Sequence, residues 1–243
     1  MNITRPKTAL ISLSDKTNLD ELIKFLVAQN VKIISTGGTY QAIKNITDEV
    51  IEVSDFTGFE EMMDGRVKTL HPKIHAGILA RRDKDLGVLE DRGYEVIDLV
   101  IVNLYPFKET IASDCTFEEA IEKIDIGGPT MIRSAAKNFK DVTVITNPND
   151  YSTLMSEWSE QGGISYEFRK QLSQKVFALM ADYNSAIADY LSEKTDKLPD
   201  YNFEQSSILR YGENPHQSAQ ILTFSGLQHR NIANAEIIQG KEL

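Results

Sequence analysis

Cysteine is almost absent from this sequence, and long apolar runs are missing. Cys115 is the only cysteine among 243 residues, which excludes an internal disulfide and favours a reducing compartment. The apolar runs, such as residues 99–102, are far shorter than a segment that crosses a bilayer. Residues 1–6 contain no apolar segment of the kind that a secretory signal needs. We therefore expect a cytoplasmic protein with no membrane partner.

Positive charge is also scarce. The sequence has 26 Lys and Arg against 36 Asp and Glu, for a net charge of −10. A chain this acidic is not expected to bind nucleic acid. An anion would have to be held by individually placed cations and backbone N–H groups, so any local cluster of Lys or Arg is informative. The hydrophobic share of 41% is typical of a globular protein, and the length suits one large domain or one domain with part of a second.

Metal-ligand spacing is the third absence. His71 and His75 are four residues apart, but Pro72 follows His71 directly and no cysteine lies nearby. Zinc sites on helices usually carry a Glu between the two histidines or are completed by cysteines. We therefore expect no metal site here and predict that one of these histidines is a hydrogen-bonded structural residue.

The pattern that is present is an alternation of apolar runs and amphipathic segments. Short β-branched runs predict strands at 8–13, 32–35, 50–53, 98–104 and 142–146, and helical periodicity predicts helices at 18–29, 39–46, 118–124 and 131–139. Strands that alternate with helices are typical of a parallel sheet. We predict an α/β fold with a doubly wound parallel sheet.

The last third of the sequence changes character. Residues 166–191 carry one long amphipathic stripe, which predicts a helix packed on its own domain or on a second subunit. Residues 192–200 are polar, charged and close to a proline, which is typical of a linker. Residues 201–243 are too few for a typical domain, so we predict a truncated second domain there.

Two hydroxyl- and glycine-rich segments follow the first two predicted strands. Ligands of open parallel sheets bind beyond the carboxyl ends of the strands, and both segments fall there. Hydroxyls, glycine N–H groups and a helix N-terminus suit a phosphate dianion, although a single such segment more often only turns and caps the chain. The candidate phosphate-binding residues are Ser12, Ser14, Lys16, Ser35, Thr36, Gly37, Gly38 and Thr39.

Further polar residues lie in three later segments. Arg66 and Lys68 flank a valine, so in an extended backbone both side chains point to one side; a solvated pair of charges is the alternative. Asn103 and Tyr105 lie at the end of the most apolar predicted strand. The segment from Asp125 to Thr130 combines a carboxylate with two glycines whose N–H groups could hold an oxyanion, and Lys137 follows in the next predicted helix.

These motifs resemble a known family. SLSDKT, STGGT, GRVKTLHP, HAGILAR, NLYPF, DIGGPT and RSAAKN occur here in the order found in the bifunctional phosphoribosylaminoimidazolecarboxamide (AICAR) formyltransferase/IMP cyclohydrolase family of purine biosynthesis. The resemblance implies a methylglyoxal synthase-like cyclohydrolase domain at 1–198. It also implies a linker and the first part of the transformylase domain at 199–243, where LRYGENPHQ stands.

The resemblance also implies a reaction. Cyclohydrolases of this family close the ring of 5-formamidoimidazole-4-carboxamide ribotide to IMP with loss of water, and they need no metal or cofactor. Lys68 and Tyr105 would then act at the formyl oxygen, while Asp125 and Lys137 would manage the carboxamide proton, with Asp125 the preferred base. The base and ribose would be lined by Arg66, Thr69, Asn103, Ile126, Gly127 and Gly128.

The resemblance makes further predictions about partners. The substrate would be a purine ribonucleotide, and the family favours a homodimer. Arg210 and Tyr211 match residues at the transformylase site, where 10-formyltetrahydrofolate is the co-substrate, but the remaining residues of that site are not in this sequence. We therefore expect formyl transfer only from a longer parent protein.

Two other functions share the phosphate loops. A methylglyoxal synthase-like lyase would not need NLYPF or RSAAKN, and a non-catalytic nucleotide sensor could dispense with Lys68, Asp125 or Lys137. All of these residues and motifs are present, which favours the cyclohydrolase.

Overall fold

A computed structural model describes residues 3–192, 203–209, 216–217 and 219–224. The chain divides into two compact units, Met1–Leu191 and Ser192–Leu243. The predicted domain boundary at residue 198 lies outside the described residues. Among the residues described, no helix is long and apolar enough to span a membrane.

The first unit is built on a parallel sheet. Its order is β4-β3-β2-β5-β6, and every neighbouring pair is parallel. A short antiparallel pair, β1 with β7, lies beside it. The strands are β1 (Ile3–Thr4), β2 (Thr8–Ser12), β3 (Lys32–Ser35), β4 (Val50–Glu52), β5 (Leu99–Val102), β6 (Thr143–Ile145) and β7 (Ile164–Ser165).

Helices connect these strands. The chain forms α1 (Leu19–Ala28), α2 (Gly37–Lys44), α3 (Val53–Thr57), α4 (Pro72–Leu79), α5 (Leu86–Glu90), α6 (Phe107–Ala112), α7 (Phe117–Glu122), α8 (Gly127–Lys137), α9 (Tyr151–Gln161) and α10 (Tyr166–Leu191), with a 3-10 helix at Pro148–Asp150. Helix α1 packs with α2 and α9, while α8 packs with α4 and α10.

The central strands explain why the sheet forms. All four residues of β5 are buried, and so are the first four of β2. A strand that is buried on both faces needs helices on both sides of the sheet, and β-branched residues fit such a strand well. The doubly wound α/β prediction is confirmed. The chain order of the strands reverses between β2 and β5, and this switch point is where ligands of such sheets bind.

Helix α10 has the predicted limits. Its residues Leu172, Val176 and Tyr183 are buried, and the helix packs against α8, α6 and β6 of its own unit. The first of the two predicted alternatives, packing on its own domain, is therefore confirmed for this face of the helix.

Two helices begin earlier than the sequence predicts. Helix α2 starts at Gly37 rather than at residue 39, and α8 starts at Gly127 rather than at residue 131. Glycine disfavours helix interiors but is tolerated in the first turn, where the N–H groups have no intrahelical partner. Both glycine pairs, Gly37–Gly38 and Gly127–Gly128, therefore belong to the first turn of a helix and not to a loop.

The second unit contains one described hairpin. Strand β8 (Phe203–Ile208) pairs antiparallel with β9 (Gln220–Phe224), with Phe203 opposite Phe224. Arg210 and Tyr211, the predicted part of a transformylase site, lie outside the described residues.

Candidate active site

A cavity of about 770 Å³ lies at the switch point of the sheet. That volume is within the range of small-ligand sites. The predicted residues that line it are Ser12, Ser14, Lys16, Thr36, Gly37, Gly38, Thr39, Arg66, Lys68, Thr69, Asn103, Tyr105, Asp125, Ile126, Gly127 and Gly128. Residues from loops far apart in sequence therefore meet in one place, although their chemical roles stay predictions.

Asn103 joins the loops that follow β2 and β5. Its Oδ1 accepts hydrogen bonds from the backbone N–H groups of Ser14 at 2.7 Å and Asp15 at 3.1 Å. Its Nδ2 donates to the Asp15 carbonyl at 2.8 Å. The Ser14 hydroxyl donates to the Leu104 carbonyl at 2.9 Å. The amide of Asn103 thus holds the wall of the cavity together at the switch point.

The N-terminus of α2 also lines the cavity. Gly37 has φ +54°, a left-handed conformation that favours glycine, so the chain can turn sharply into the helix. The Thr39 hydroxyl accepts from the Leu13 N–H at 2.8 Å and donates to the Leu13 carbonyl at 2.9 Å, which fixes α2 against the first loop. The hydroxyl oxygen of Thr36 is buried and has no hydrogen-bond partner among the described residues. Such a group is available to a bound ligand.

Ser35 does not line the cavity, contrary to the sequence prediction. Its side chain is fully buried within β3, and its hydroxyl donates to the Ile11 carbonyl at 2.8 Å. Side chains alternate between the two faces of a sheet along a strand, and Ser35 lies on a face that is covered. Its role is to join β3 to β2.

Arg66 and Lys68 lie on and beside a tight hairpin. The backbone N–H of Met62 donates to the Val67 carbonyl at 3.0 Å, and Met63, Asp64 and Gly65 between them all have positive φ. A left-handed conformation is costly for residues with a Cβ, so this hairpin carries local strain. The strain accompanies the segment that brings both cations to the cavity.

Both cations already have carboxylate partners. Arg66 forms an ion pair with Glu122, and Lys68 forms one with Glu61. The Lys68 ammonium also stands 3.5 Å from the point where a Cβ on Gly37 would lie, so it faces the first turn of α2. Apart from Tyr105, the ionisable side chains that line the cavity include more acids than bases. The bases are Lys16, Arg66 and Lys68, and the acids are Glu61, Asp64, Glu122 and Asp125.

Asp125 is the most perturbed acid of the cavity. Burial raises the pKa of its carboxyl above the ordinary value, while hydrogen bonds from the N–H groups of Gly128, Tyr105 and Gly127 oppose that rise. The Gly128 N–H donates to Oδ1 at 2.9 Å. A partly buried carboxylate whose pKa is raised is suited to act as a general base.

The two glycines at the start of α8 are required by close packing. A Cβ on Gly127 would lie 2.7 Å from the Thr69 hydroxyl oxygen, and one on Gly128 would lie 2.8 Å from the Leu104 side chain and against the Asp125 carboxyl. Their absent side chains let the helix N-terminus approach the cavity, where its N–H groups favour negative charge.

The structure does not bring Lys137 to the cavity. It is an exposed residue in the last turn of α8, about 15 Å along the helix axis from Gly127 at 1.5 Å per residue. Its catalytic role was implied by the family resemblance alone, and that role stays a prediction.

Several lining residues were missed by the sequence prediction. They are Glu61 and Glu122, which pair with the cations, and Ile121 and Ile124, which add apolar surface. The unpaired cations of the GRVKTLHP segment were a signal that acidic partners were needed. Nothing in the local sequence pattern identified which acids they would be.

The two histidines have structural contacts. His71 is the N-cap of α4, and its Nδ1 accepts from the Lys73 N–H at 3.1 Å. His75 Nδ1 lies 3.2 Å from the Ser134 hydroxyl, and burial lowers the pKa of this imidazole. Within the described residues, no group of three or more His, Cys, Asp and Glu side chains is arranged to hold a metal ion.

Comparison with known proteins gives two family matches. Residues 18–130 match the model of the MGS-like domain, and residues 135–243 match the model of the AICARFT/IMPCHase bienzyme. Together these two matches cover most of the chain.

Individual relatives agree with the family matches. The bifunctional purine biosynthesis protein PurH of Clostridium botulinum (strain Eklund 17B / Type B) is 49% identical over 242 residues, and that of Bacillus subtilis (strain 168) is 49% identical over 244. Each alignment includes 98% of this chain and 48% of the relative, so the chain spans about half the length of these proteins. A solved structure described as the crystal structure of ForH matches with a TM-score of 0.66 and 32% identity, covering 76% of this chain and 98% of that one.

Proposed function

The chain belongs to the AICAR transformylase/IMP cyclohydrolase family, of which it corresponds to the N-terminal part, and we propose that its cavity is an IMP cyclohydrolase site. The substrate is 5-formamidoimidazole-4-carboxamide ribotide, a purine ribonucleotide precursor. The observation that carries the proposal is the partly buried Asp125 carboxyl, which shares one cavity with Lys68 and two hydroxyl- and glycine-rich loops.

The phosphate end of the substrate is assigned to the β2 and β3 loops. Thr36, Gly37 and Gly38 at the start of α2 and Lys16 line this part of the cavity, and the Lys16 ammonium donates to the Leu13 carbonyl at 3.2 Å. These groups suit a phosphate dianion because they supply donors and positive potential together. Net binding requires that Arg66 and Lys68 exchange at least part of their carboxylate contacts for the ligand.

Ring closure removes one proton from each of two nitrogens and protonates the formyl oxygen twice. The carboxamide nitrogen loses a proton to the Asp125 carboxylate as its C–N bond to the formyl carbon forms. The formyl oxygen becomes an oxyanion that is stabilised by the Lys68 ammonium and by donors at the cavity wall, among which the Tyr105 phenol is half exposed. The resulting hydroxyl group takes a second proton and leaves as water, while the former formamido nitrogen gives up its own proton, so that the C=N bond forms and the aromatic ring is complete.

The rate enhancement has two sources. Both reacting groups belong to one substrate molecule, so the site has only to hold them in a reactive conformer. General acid–base catalysis adds about two to four orders of magnitude for each positioned group. The proposed step uses protein side chains only. The role predicted for Lys137 has no support from the described cavity.

Formyl transfer is proposed only for a longer parent. That activity would use 10-formyltetrahydrofolate as co-substrate, and Arg210 and Tyr211 would supply only part of its site. A homodimer stays a prediction from the family resemblance.

The test is turnover of the formamido substrate to IMP by the purified chain, with no folate present. We expect Lys68→Ala to lower kcat/KM by about two to three orders of magnitude, the loss typical of one stabilising group. Lys24→Ala is the matched control, because Lys24 is an exposed residue of α1 paired with Asp20 and does not line the cavity. Full activity in Lys68→Ala would remove this residue from the mechanism.

Two other results would redirect the assignment. Tight IMP binding without turnover by the wild-type chain would favour a nucleotide sensor. Conversion of a small phosphorylated ketone, without action on the formamido nucleotide, would favour a methylglyoxal synthase-like lyase.

A further inference from the structure

A single phenol of α10 contacts the loop that carries Asp125. The backbone N–H of Asp125 donates to the Tyr183 hydroxyl oxygen at 2.8 Å. The same hydroxyl donates to the Lys123 carbonyl at 3.5 Å, a long contact. Tyr183 therefore bridges two backbone groups on either side of Ile124.

This contact fixes the backbone of Asp125 independently of its side chain. The carboxyl is held by the Gly128 N–H at the start of α8, and the amide is held by Tyr183 on α10. A partly buried N–H group that loses its partner destabilises the backbone that carries it, so the phenol stabilises the loop in this position. The two hydrogen bonds together set both the position and the direction of the carboxylate.

The phenol is itself held rigidly. Tyr183 is 7% exposed, and its ring meets Phe107 edge to face with centroids 6.2 Å apart. Phe107 is fully buried, and α10 packs along α8. Burial raises the pKa of Tyr183, so the phenol keeps its proton and remains able both to donate and to accept.

We infer that Tyr183 is a positioning residue for Asp125, through the hydrogen bond between its hydroxyl oxygen and the Asp125 N–H. The inference rests on the proposed cyclohydrolase function, in which Asp125 is the base. Tyr183 belongs to the part of the chain that matches the bienzyme model, whereas Asp125 belongs to the part that matches the MGS-like model. Helix α10 thus completes a site whose other residues lie within or before the MGS-like match.

Tyr183→Phe is the test variant, because it removes the hydroxyl and leaves the ring. Tyr190→Phe is the matched control: Tyr190 also lies on α10 and also meets Phe107 edge to face, at 5.8 Å, but its hydroxyl makes no hydrogen bond with a described residue of the Asp125 loop. Cooperative thermal unfolding of both variants verifies that they fold.

Two readouts separate positioning from packing. Amide hydrogen exchange at Asp125 should become about tenfold faster in Tyr183→Phe, the factor that corresponds to loss of one hydrogen bond, and should be unchanged in Tyr190→Phe. In turnover assays kcat should fall about tenfold or more, since a displacement of about 1 Å can cost a hundredfold. KM and IMP affinity should change by less than about threefold, because the phosphate is held at the other loops.

The outcomes distinguish this inference from the proposed function. Absence of turnover by the wild-type chain counts against the proposed cyclohydrolase function. The hydrogen bond between Tyr183 and the Asp125 N–H is then tested by amide hydrogen exchange alone. Unchanged Asp125 exchange in Tyr183→Phe would overturn the inference in either case. Faster exchange with wild-type kcat would also overturn it, since the loop would then be released without effect on the base.

Discussion

Gly128→Ala tests whether the position of the Asp125 carboxylate limits the reaction. The added Cβ would lie 2.8 Å from the Leu104 Cδ2 atom and against the Asp125 carboxyl. Real Cβ contacts are not that short, so the neighbours must move. The backbone of Gly128 does not have positive φ, so alanine is strained only by contact and not by conformation.

The structure sets the size of the expected effect. A shift of the carboxylate by about 1 Å would lower kcat by about a hundredfold. Overpacking against Leu104 would cost about 1–3 kcal/mol in the free energy of unfolding. The phosphate loops do not contact this Cβ, so IMP affinity should remain within about threefold of the wild type.

The assay is steady-state turnover to IMP, with IMP affinity and urea unfolding measured on the same preparations. Gly87→Ala is the control, because Gly87 also lies in a helix but a Cβ there meets nothing within 4 Å. That change should leave kcat unchanged and should not lower the free energy of unfolding. Wild-type kcat in a folded Gly128→Ala variant would refute the reasoning that links carboxylate geometry to rate.

Two further predictions concern buried charges. Asp125→Asn should abolish turnover without lowering the midpoint of thermal unfolding at pH 7: because burial raises the pKa of this carboxyl, its ionised form costs stability above the ordinary pKa. The wild-type rate should correspondingly fall as the pH drops through that raised pKa, and a lower unfolding midpoint for the Asn variant would contradict this account. Arg169→Met should cost about 3 kcal/mol or more in urea unfolding. The buried guanidinium donates to the carbonyls of Phe139, Ile164 and Lys140, and each carbonyl left unpaired costs about 1–3 kcal/mol. A loss below about 1 kcal/mol would show that water replaces the bonds.

The sheet could be predicted from the sequence because its strands are short apolar runs between polar turns. Strand β3 and helix α10 have the predicted limits, and the doubly wound order places the two phosphate-type loops at one edge. Helices α3, α4, α5, α6 and α9 were not predicted. Most of them are short or mixed in polarity, and their helical structure depends on packing that a local pattern does not contain.

The candidate site was predictable where a motif places several polar groups after a strand. It was not predictable where a side chain could point to either face of the sheet, as with Ser35. The role of Lys137 came from the family resemblance alone, and the local pattern could not exclude the exposed position that this lysine takes in the last turn of α8. Glu61 and Glu122 illustrate a different difficulty. Their importance arises from contacts across the fold, because each carboxylate meets a cation from a separate segment.

The two paired cations of the cavity can bind a ligand only by giving up contacts with their carboxylate partners. Arg66 and Lys68 are neutralised by Glu122 and Glu61 before any ligand arrives. A ligand that contacts either cation therefore replaces a carboxylate, and the net Coulombic gain is smaller than the number of cations suggests. Selectivity then comes from donor geometry at the helix N-termini, and an anion that lacks the right shape gains little by displacing the acids already in place.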